Sequence, residues 1–280
     1  MNRRIYALCL ALVCLLSGCK GVKEDKKGLV IYTSFYAPYD LTKTICGDKA
    51  EVYNMVPAGT EPHDWEPTSK DMLSLNSADV VFYNGLGMEG WIDKAKENTK
   101  ADFVCLSSFI GKEKEDPHIW LSPVNAVKMS EIITDTLSEK DSENASYYKE
   151  NFEKFKTEAL ALTEEYKPLI AQKEKKQIVV SHAAYSYLCD DFGLEQLAVE
   201  GMSAESEPSP SKMKDIINFV KENDVKYIYY EESVSPKVAE VLSEEAGTEL
   251  LPLNSFENSE EGKSYTTVMK ENLENVLKGL

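Results

Sequence analysis

Two comparable sets of four short apolar runs, with helical stretches between the runs, set the architecture this chain can adopt. The first set is Leu29–Ser34, Val52–Val56, Val80–Tyr83 and Phe103–Leu106; the second is Ile178–Ser181, Gln196–Val199, Tyr227–Tyr230 and Glu249–Leu253. Each run is apolar throughout instead of alternating with polar residues, the pattern of parallel strands covered on both faces. Each set therefore predicts a small α/β lobe, a parallel sheet flanked by helices.

A stretch of different character lies between the sets. Ser122-Pro123 has the form of an N-cap followed by proline at the first helical position, opening a helix to about Leu137. From about Ala145, residues Tyr148, Phe152, Phe155, Ala159, Leu162, Tyr166 and Leu169 recur at spacings of four and three, one continuous apolar stripe. About 25 helical residues would reach roughly 38 Å, enough to run along both lobes as a rigid strut. Pro168 is expected to kink or end this helix. The expected division is an N-terminal lobe over 29–122, connecting helices over 123–174 and a C-terminal lobe over 175–280.

The N-terminus points outside the cytoplasm. Arg3 and Arg4 precede an apolar run from Ile5 to Leu16, too short to span a bilayer and suited to the core of a signal peptide. The run ends in Leu16-Ser17-Gly18-Cys19, which resembles the lipobox of bacterial lipoproteins. Residues 1–18 are therefore expected to be removed, and Cys19 to carry lipid at the head of a lysine-rich tether over 19–28 that holds the domain at the membrane.

Without the leader, 29 lysines face 48 carboxylates and the formal charge is about −19. That balance argues against a nucleic-acid partner. No arginine follows Arg4, so the bidentate clamp usual for carboxylate or phosphate cargo is missing. Cys46, Cys105 and Cys189 are odd in number and sit in apparent element interiors, which favours buried thiols over a disulfide framework or metal ligation.

The chain has three histidines, each in a short loop segment after an expected strand. His63 follows the second strand of the first set, His118 follows the fourth, and His182 directly follows the first strand of the second set. Parallel α/β sheets bind ligands at the carboxyl ends of their strands, so the three rings are expected to meet between the lobes, within about 2 Å of a shared transition-metal ion. Glu61-Pro62-His63-Asp64-Trp65-Glu66-Pro67 holds its histidine between prolines, and Asp116-Pro117-His118-Ile119-Trp120 repeats the Pro-His pair. Asp64 and Asp116 suit either outer acceptors for imidazole N–H groups or ordinary turn chemistry.

In these segments the chain resembles the metal-binding solute receptors of ABC importers for zinc and manganese. The matching segments are the lipobox, Pro57-Ala58-Gly59 with the Glu61–Pro67 run, Asp79–Gly85, Asp116–Pro123, Ser181-His182-Ala183-Ala184-Tyr185, Glu205–Pro210 and Tyr229-Tyr230-Glu231. They cover almost the whole mature chain in order.

The resemblance implies a two-lobed receptor joined by one long helix, not an enzyme, acting as a monomer with an ABC membrane permease. It places His63, His118 and His182 at the first three ligand positions, the third being glutamate in manganese receptors. Histidine there favours zinc as the transported ion, with manganese or iron the alternative cargo. The fourth position falls on Asn254, with a water or a carboxylate such as Glu257 as the other candidates. Glu231 suits a group that orients a histidine, or one that caps the next helix. The histidine-rich loop of some zinc receptors is missing. A zinc hydrolase would also use three histidines, but no His-Glu-x-x-His run occurs. An adhesive role for the surface has no sequence signal either way.

Overall fold

The computed structural model describes residues 28–111, 116–201, 208–231, 236–258 and 262–280. The expected leader, Cys19 and nearly all of the tether lie outside them, as do Glu205, Ser206 and Glu207. Among the described residues, no helix is long and apolar enough to cross a membrane.

The first half alternates β1 (Leu29–Thr33), α1 (Tyr36–Cys46), β2 (Ala50–Asn54), α2 (Ser69–Ser74), β3 (Val80–Tyr83), α3 (Ile92–Asn98) and β4 (Asp102–Cys105). Two helices follow, α4 (Pro123–Lys140) and α5 (Ala145–Ala171). The second half runs β5 (Gln177–Val180), α6 (Ser186–Phe192), β6 (Glu195–Ala198), α7 (Pro210–Glu222), β7 (Tyr227–Tyr230), α8 (Lys237–Ala246), β8 (Glu249–Pro252) and α9 (Tyr265–Gly279). Each half holds a four-stranded sheet of the same topology, β2-β1-β3-β4 and β6-β5-β7-β8, parallel throughout. The α/β class with two small parallel sheets is the one the apolar runs predict.

Burial follows position in the sheet. The central strands β1, β3, β5 and β7 are covered on both faces, whereas the edge strands β2, β4, β6 and β8 are partly open. The expected Val52–Val56 run is displaced by two residues for that reason. Met55 and Val56 are buried but lie past the strand end, where their N–H groups donate to Thr33 O and Ser34 O at 2.9 and 3.2 Å. Burial of an apolar pair therefore does not mark where pairing stops on an edge strand.

Ser122 caps α4, its Oγ accepting from Asn125 N at 3.0 Å, with Pro123 at the first helical position. The helix continues to Lys140, one turn beyond the expected end. Its neighbour α5 is 27 residues long, or about 40 Å. It packs against α1 of the first half and against α6 and α9 of the second. At its ends Asn151 Nδ2 donates to Ile45 O at 2.9 Å and Tyr166 Oη to Glu274 Oε1 at 3.3 Å.

Tyr148, Phe152, Phe155, Ala159, Leu162 and Tyr166 form its buried stripe, but Ile170 completes it instead of Leu169, which is 41 % exposed. At 100° per residue Leu169 lies about 60° from the centre of the stripe, and Ile170 about 40° on the other side. Pro168 does not end the helix. It lies on the solvent face, as does Glu164, whose carbonyl loses its helical donor there and can turn to water.

Cys46 and Cys189 are buried thiols, pushed up to about 11 and about 12 by loss of hydration. Cys105, at the end of edge strand β4, is half-buried instead of interior.

Phe155, 3 % exposed and edge-on to Tyr265 at 5.6 Å, sits where α5 meets both halves. Phe155→Ala is expected to cost about 3–5 kcal/mol of unfolding free energy. Leu169→Ala should change it by no more than about 0.5 kcal/mol. Urea denaturation of the two variants checks the corrected register.

Candidate metal centre

The carboxyl ends of both sheets face the seam, and the loops leaving them carry the site. His63 lies in the loop after β2, His118 between β4 and α4, His182 two residues beyond β5, Glu231 directly after β7 and Glu257 in the loop after β8. The loop around His63 is anchored by Trp65, packed edge-on against Trp91 at 5.7 Å, and by the His63 N–H donating to Glu61 Oε1 at 3.1 Å. The loop around His118 is anchored from β3. Glu89, buried, accepts from Asn84 N and Gly85 N at 2.7 and 2.9 Å, and Asn84 Nδ2 donates to Pro117 O at 2.8 Å.

Four donor atoms converge. His118 Nε2 is 3.1 Å from His63 Nε2, 3.5 Å from His182 Nε2 and 3.0 Å from Glu257 Oε1. Glu257 Oε1 is 3.6 Å from His63 Nε2 and 3.8 Å from His182 Nε2. A metal ion bonded at 2.0–2.1 Å needs its donors about 3.3 Å apart; His63, His118 and Glu257 each offer an atom within 4.8 Å of the other two, and His182 reaches this group through His118 and Glu257. Glu257 Oε1 is buried with imidazole nitrogens as its neighbours, the nearest being His118 Nε2 at 3.0 Å. A carboxylate oxygen facing ring nitrogens that can present lone pairs fits a cation between them.

The two innermost rings are held by carboxylates. Asp116 Oδ1 lies 2.6 Å from His118 Nδ1 and accepts the His118 backbone N–H at 2.9 Å, while its Oδ2 accepts from the Ser186 hydroxyl of α6. Glu231 Oε1 lies 2.6 Å from His182 Nδ1 and 3.1 Å from the Tyr185 hydroxyl, and Oε2 accepts from Ser255 Oγ at 3.0 Å. A proton kept on Nδ1 leaves the Nε2 lone pair free to bind metal. Burial pulls the His118 and His182 pKa values down, but the carboxylates more than offset it. His118 ends above the ordinary range, raised by Asp116 and Glu257, and His182 is raised to about 9 by Glu231 and Glu257. Burial favours the neutral form of Glu257, yet the surrounding imidazoles hold it well below the usual carboxylate range. Burial and the charge of Glu257 raise Glu61, on the rim.

His63 and His118 lie together with Glu257, and His182 adjoins His118 and Glu257 at 3.5 and 3.8 Å. Asn254 does not join them. Its Oδ1 accepts the Phe256 N–H at 2.7 Å, while its own N–H donates to Asn272 Oδ1 and its carbonyl accepts from Asn272 Nδ2, both at 2.8 Å. It builds a tight turn in which Phe256 takes φ = 58°, a left-handed conformation rare for a bulky residue, and this turn delivers Glu257 to the site. Asp64 is exposed and touches no imidazole, so of its two readings the turn remains. Asp116 and Glu231 are the carboxylates that touch rings.

Residues 31–279 match the family described as zinc-uptake complex component A, periplasmic. The chain belongs to this family. It is 36 % identical to the high-affinity zinc uptake system protein ZnuA of Bacillus subtilis, over 96 % of this chain and 94 % of that one. It is also 36 % identical to the zinc-binding lipoprotein AdcA of Streptococcus pneumoniae, and spans 59 % of that longer protein. The structure of the Zn(II)-bound ZnuA-like domain of AdcA superposes with a TM-score of 0.80 at 35 % identity, covering 90 % of this chain and 98 % of that one. The laminin-binding protein Lmb of Streptococcus agalactiae, described as bifunctional with adhesin and metal-transporting activity, gives 0.85 at 34 % identity, covering 90 % and 99 %. Members of the zinc-uptake component A family are receptors and not enzymes.

The geometry separates Glu257 from Asn254. Glu257→Gln is expected to weaken zinc binding by at least about 100-fold, more than loss of an outer partner would. Asn254→Ala should lower thermal stability and weaken zinc less. Competition titration against a chromophoric chelator, paired with thermal melts, distinguishes them.

Proposed function

We propose that this chain captures zinc outside the cytoplasm through His63, His118, His182 and Glu257, and hands the ion to an ABC permease in the membrane. The observation that carries this reading is the clustering of His63, His118 and Glu257, with His182 Nε2 3.5 Å from His118 Nε2 and 3.8 Å from Glu257 Oε1. Three nitrogens and one oxygen suit zinc, whereas manganese prefers more oxygen. The lipobox supports a lipid anchor at Cys19, and in this reading the receptor is a monomer whose extracytoplasmic domain meets the permease while held to the membrane. Zinc binding by the relatives named above and the AdcA lipoprotein name support the cargo and the location. Calorimetric titration with zinc should show one tight site per chain, and His118→Ala should abolish it. Binding unchanged in that variant would refute the ligand set.

Zinc and protons compete at this centre, with a calculable sign. The folded His182 value of about 9 lies above the ordinary 6.5, so the protonated ring contributes stability to the metal-free protein below pH about 6.5 and loses it as pH rises through 9. Zinc needs the neutral ring, so its affinity runs the opposite way, rising with pH up to about 9 and weakening in acid. At pH 7 binding should release at least about one proton. Calorimetry in two buffers of different ionisation enthalpy reads that number directly.

A further inference from the structure

Trp120 joins the two halves at the metal centre without touching an ion. It is fully buried, two residues after His118 in the same single helical turn, Ile119–Leu121, and its ring centroid lies 5.3 Å from the His118 ring and 4.8 Å from Phe35. Its indole N–H reaches across the seam and donates to Ser255 O at 2.7 Å. Its own carbonyl accepts from the Tyr265 hydroxyl of α9, also at 2.7 Å. Ser255 stands two residues before Glu257, and its hydroxyl holds Glu231, the partner of His182. Next in the chain is Phe256, wedged between Tyr36 of α1 at 5.2 Å and Tyr265 at 5.6 Å. The Glu257 turn thus has its left-handed backbone maintained by contacts from both halves, and the N–H of Trp120 is the hydrogen bond that ties its main chain to the segment carrying His118.

We infer that Trp120 is a positioning residue that sets the spacing between His118 and Glu257, and thereby the four-coordinate geometry of the bound ion. The inference rests on the reading of Glu257 as a ligand. Removing the indole N–H frees the Ser255 carbonyl, lets the strained turn relax and withdraws the carboxylate, while His118 stays fixed by Asp116. Affinity falls, and coordination becomes less tetrahedral.

The test uses Trp120→Phe beside Glu257→Gln in the mature chain, with zinc competition titrations and the visible d–d spectrum of the cobalt(II) form. Trp120→Phe should weaken zinc by roughly 10–100-fold, the range for lost outer partners, and lower the intensity of the cobalt bands in the same direction as Glu257→Gln. If the Phe variant does not fold, site-specific β-(3-benzothienyl)alanine at 120 removes the N–H and keeps the shape, with the same expectation. A cobalt spectrum and zinc affinity unchanged by loss of the N–H, with Glu257→Gln altering both, would overturn the role of Trp120 alone. If Glu257→Gln also leaves both unchanged, the ligand reading itself fails.

Discussion

The site rests on imidazole nitrogens of buried His118 and His182 and half-buried His63 facing the buried carboxylate of Glu257. With the Nδ1 protons of His118 and His182 directed at Asp116 and Glu231, the Nε2 atoms present lone pairs, and Glu257 adds a carboxylate oxygen beside them. Each unsatisfied buried group costs about 1–3 kcal/mol, more for a charged one. A divalent cation meets all four requirements at once and offsets the negative charge of Asp116, Glu231 and Glu257. Without it, protons take over the task. The raised affinities of His118 and His182 for protons and the depressed one of Glu257 describe that substitution: imidazolium rings facing a carboxylate can hold the same residues near the same places. On the proposed ligand set, release of protons accompanies capture.

The fold makes such convergence inexpensive. Parallel sheets send every strand's carboxyl end the same way, and two sheets of identical order facing one seam bring five loops to a small volume. The helix α5 then touches both halves along most of its length, so the halves are fixed by packing and not only by the ion. Additional ties cross near the site: Ser122 Oγ to Asp191 Oδ2 at 2.5 Å, Tyr265 N to Asp40 Oδ2 at 3.1 Å, and Gly59 N to Asn258 Oδ1 at 3.0 Å. The last of these links the loop of His63 to the loop of Glu257. Ligands far apart in sequence are therefore neighbours in one continuous hydrogen-bonded frame.

What could be read from sequence was whatever local periodicity or rarity announces. The central strands stand out because burial on both faces removes polar residues, and three histidines in a chain of 280 residues stand out by scarcity. The edge strand β2 was displaced, since Met55 and Val56 are apolar for reasons other than pairing. Leu169 was mistaken for Ile170 because a spacing of three and one of four are equally helical over a single step. Asn254 and Glu257 could not be separated by composition. Nothing local in Leu253-Asn254-Ser255-Phe256-Glu257 says that Phe256 takes a left-handed backbone, because the Tyr36 contact and the Trp120 bond that help maintain it come from residues over a hundred positions away.

That turn also bears on which ion the centre selects. Carboxylates are plentiful around it, yet Asp116 and Glu231 are committed to imidazole Nδ1 atoms and Glu61 to the His63 backbone, leaving Glu257 as the one directed at the common point among the described residues. A hard cation that requires six or more oxygens finds one here, and manganese gains less from three imidazoles than zinc does. Recruiting a second carboxylate would strip an imidazole of its partner and raise the cost of binding elsewhere. On the proposed ligand set, selectivity arises as much from what Asp116, Glu231 and Glu61 are already holding as from the identity of the donors.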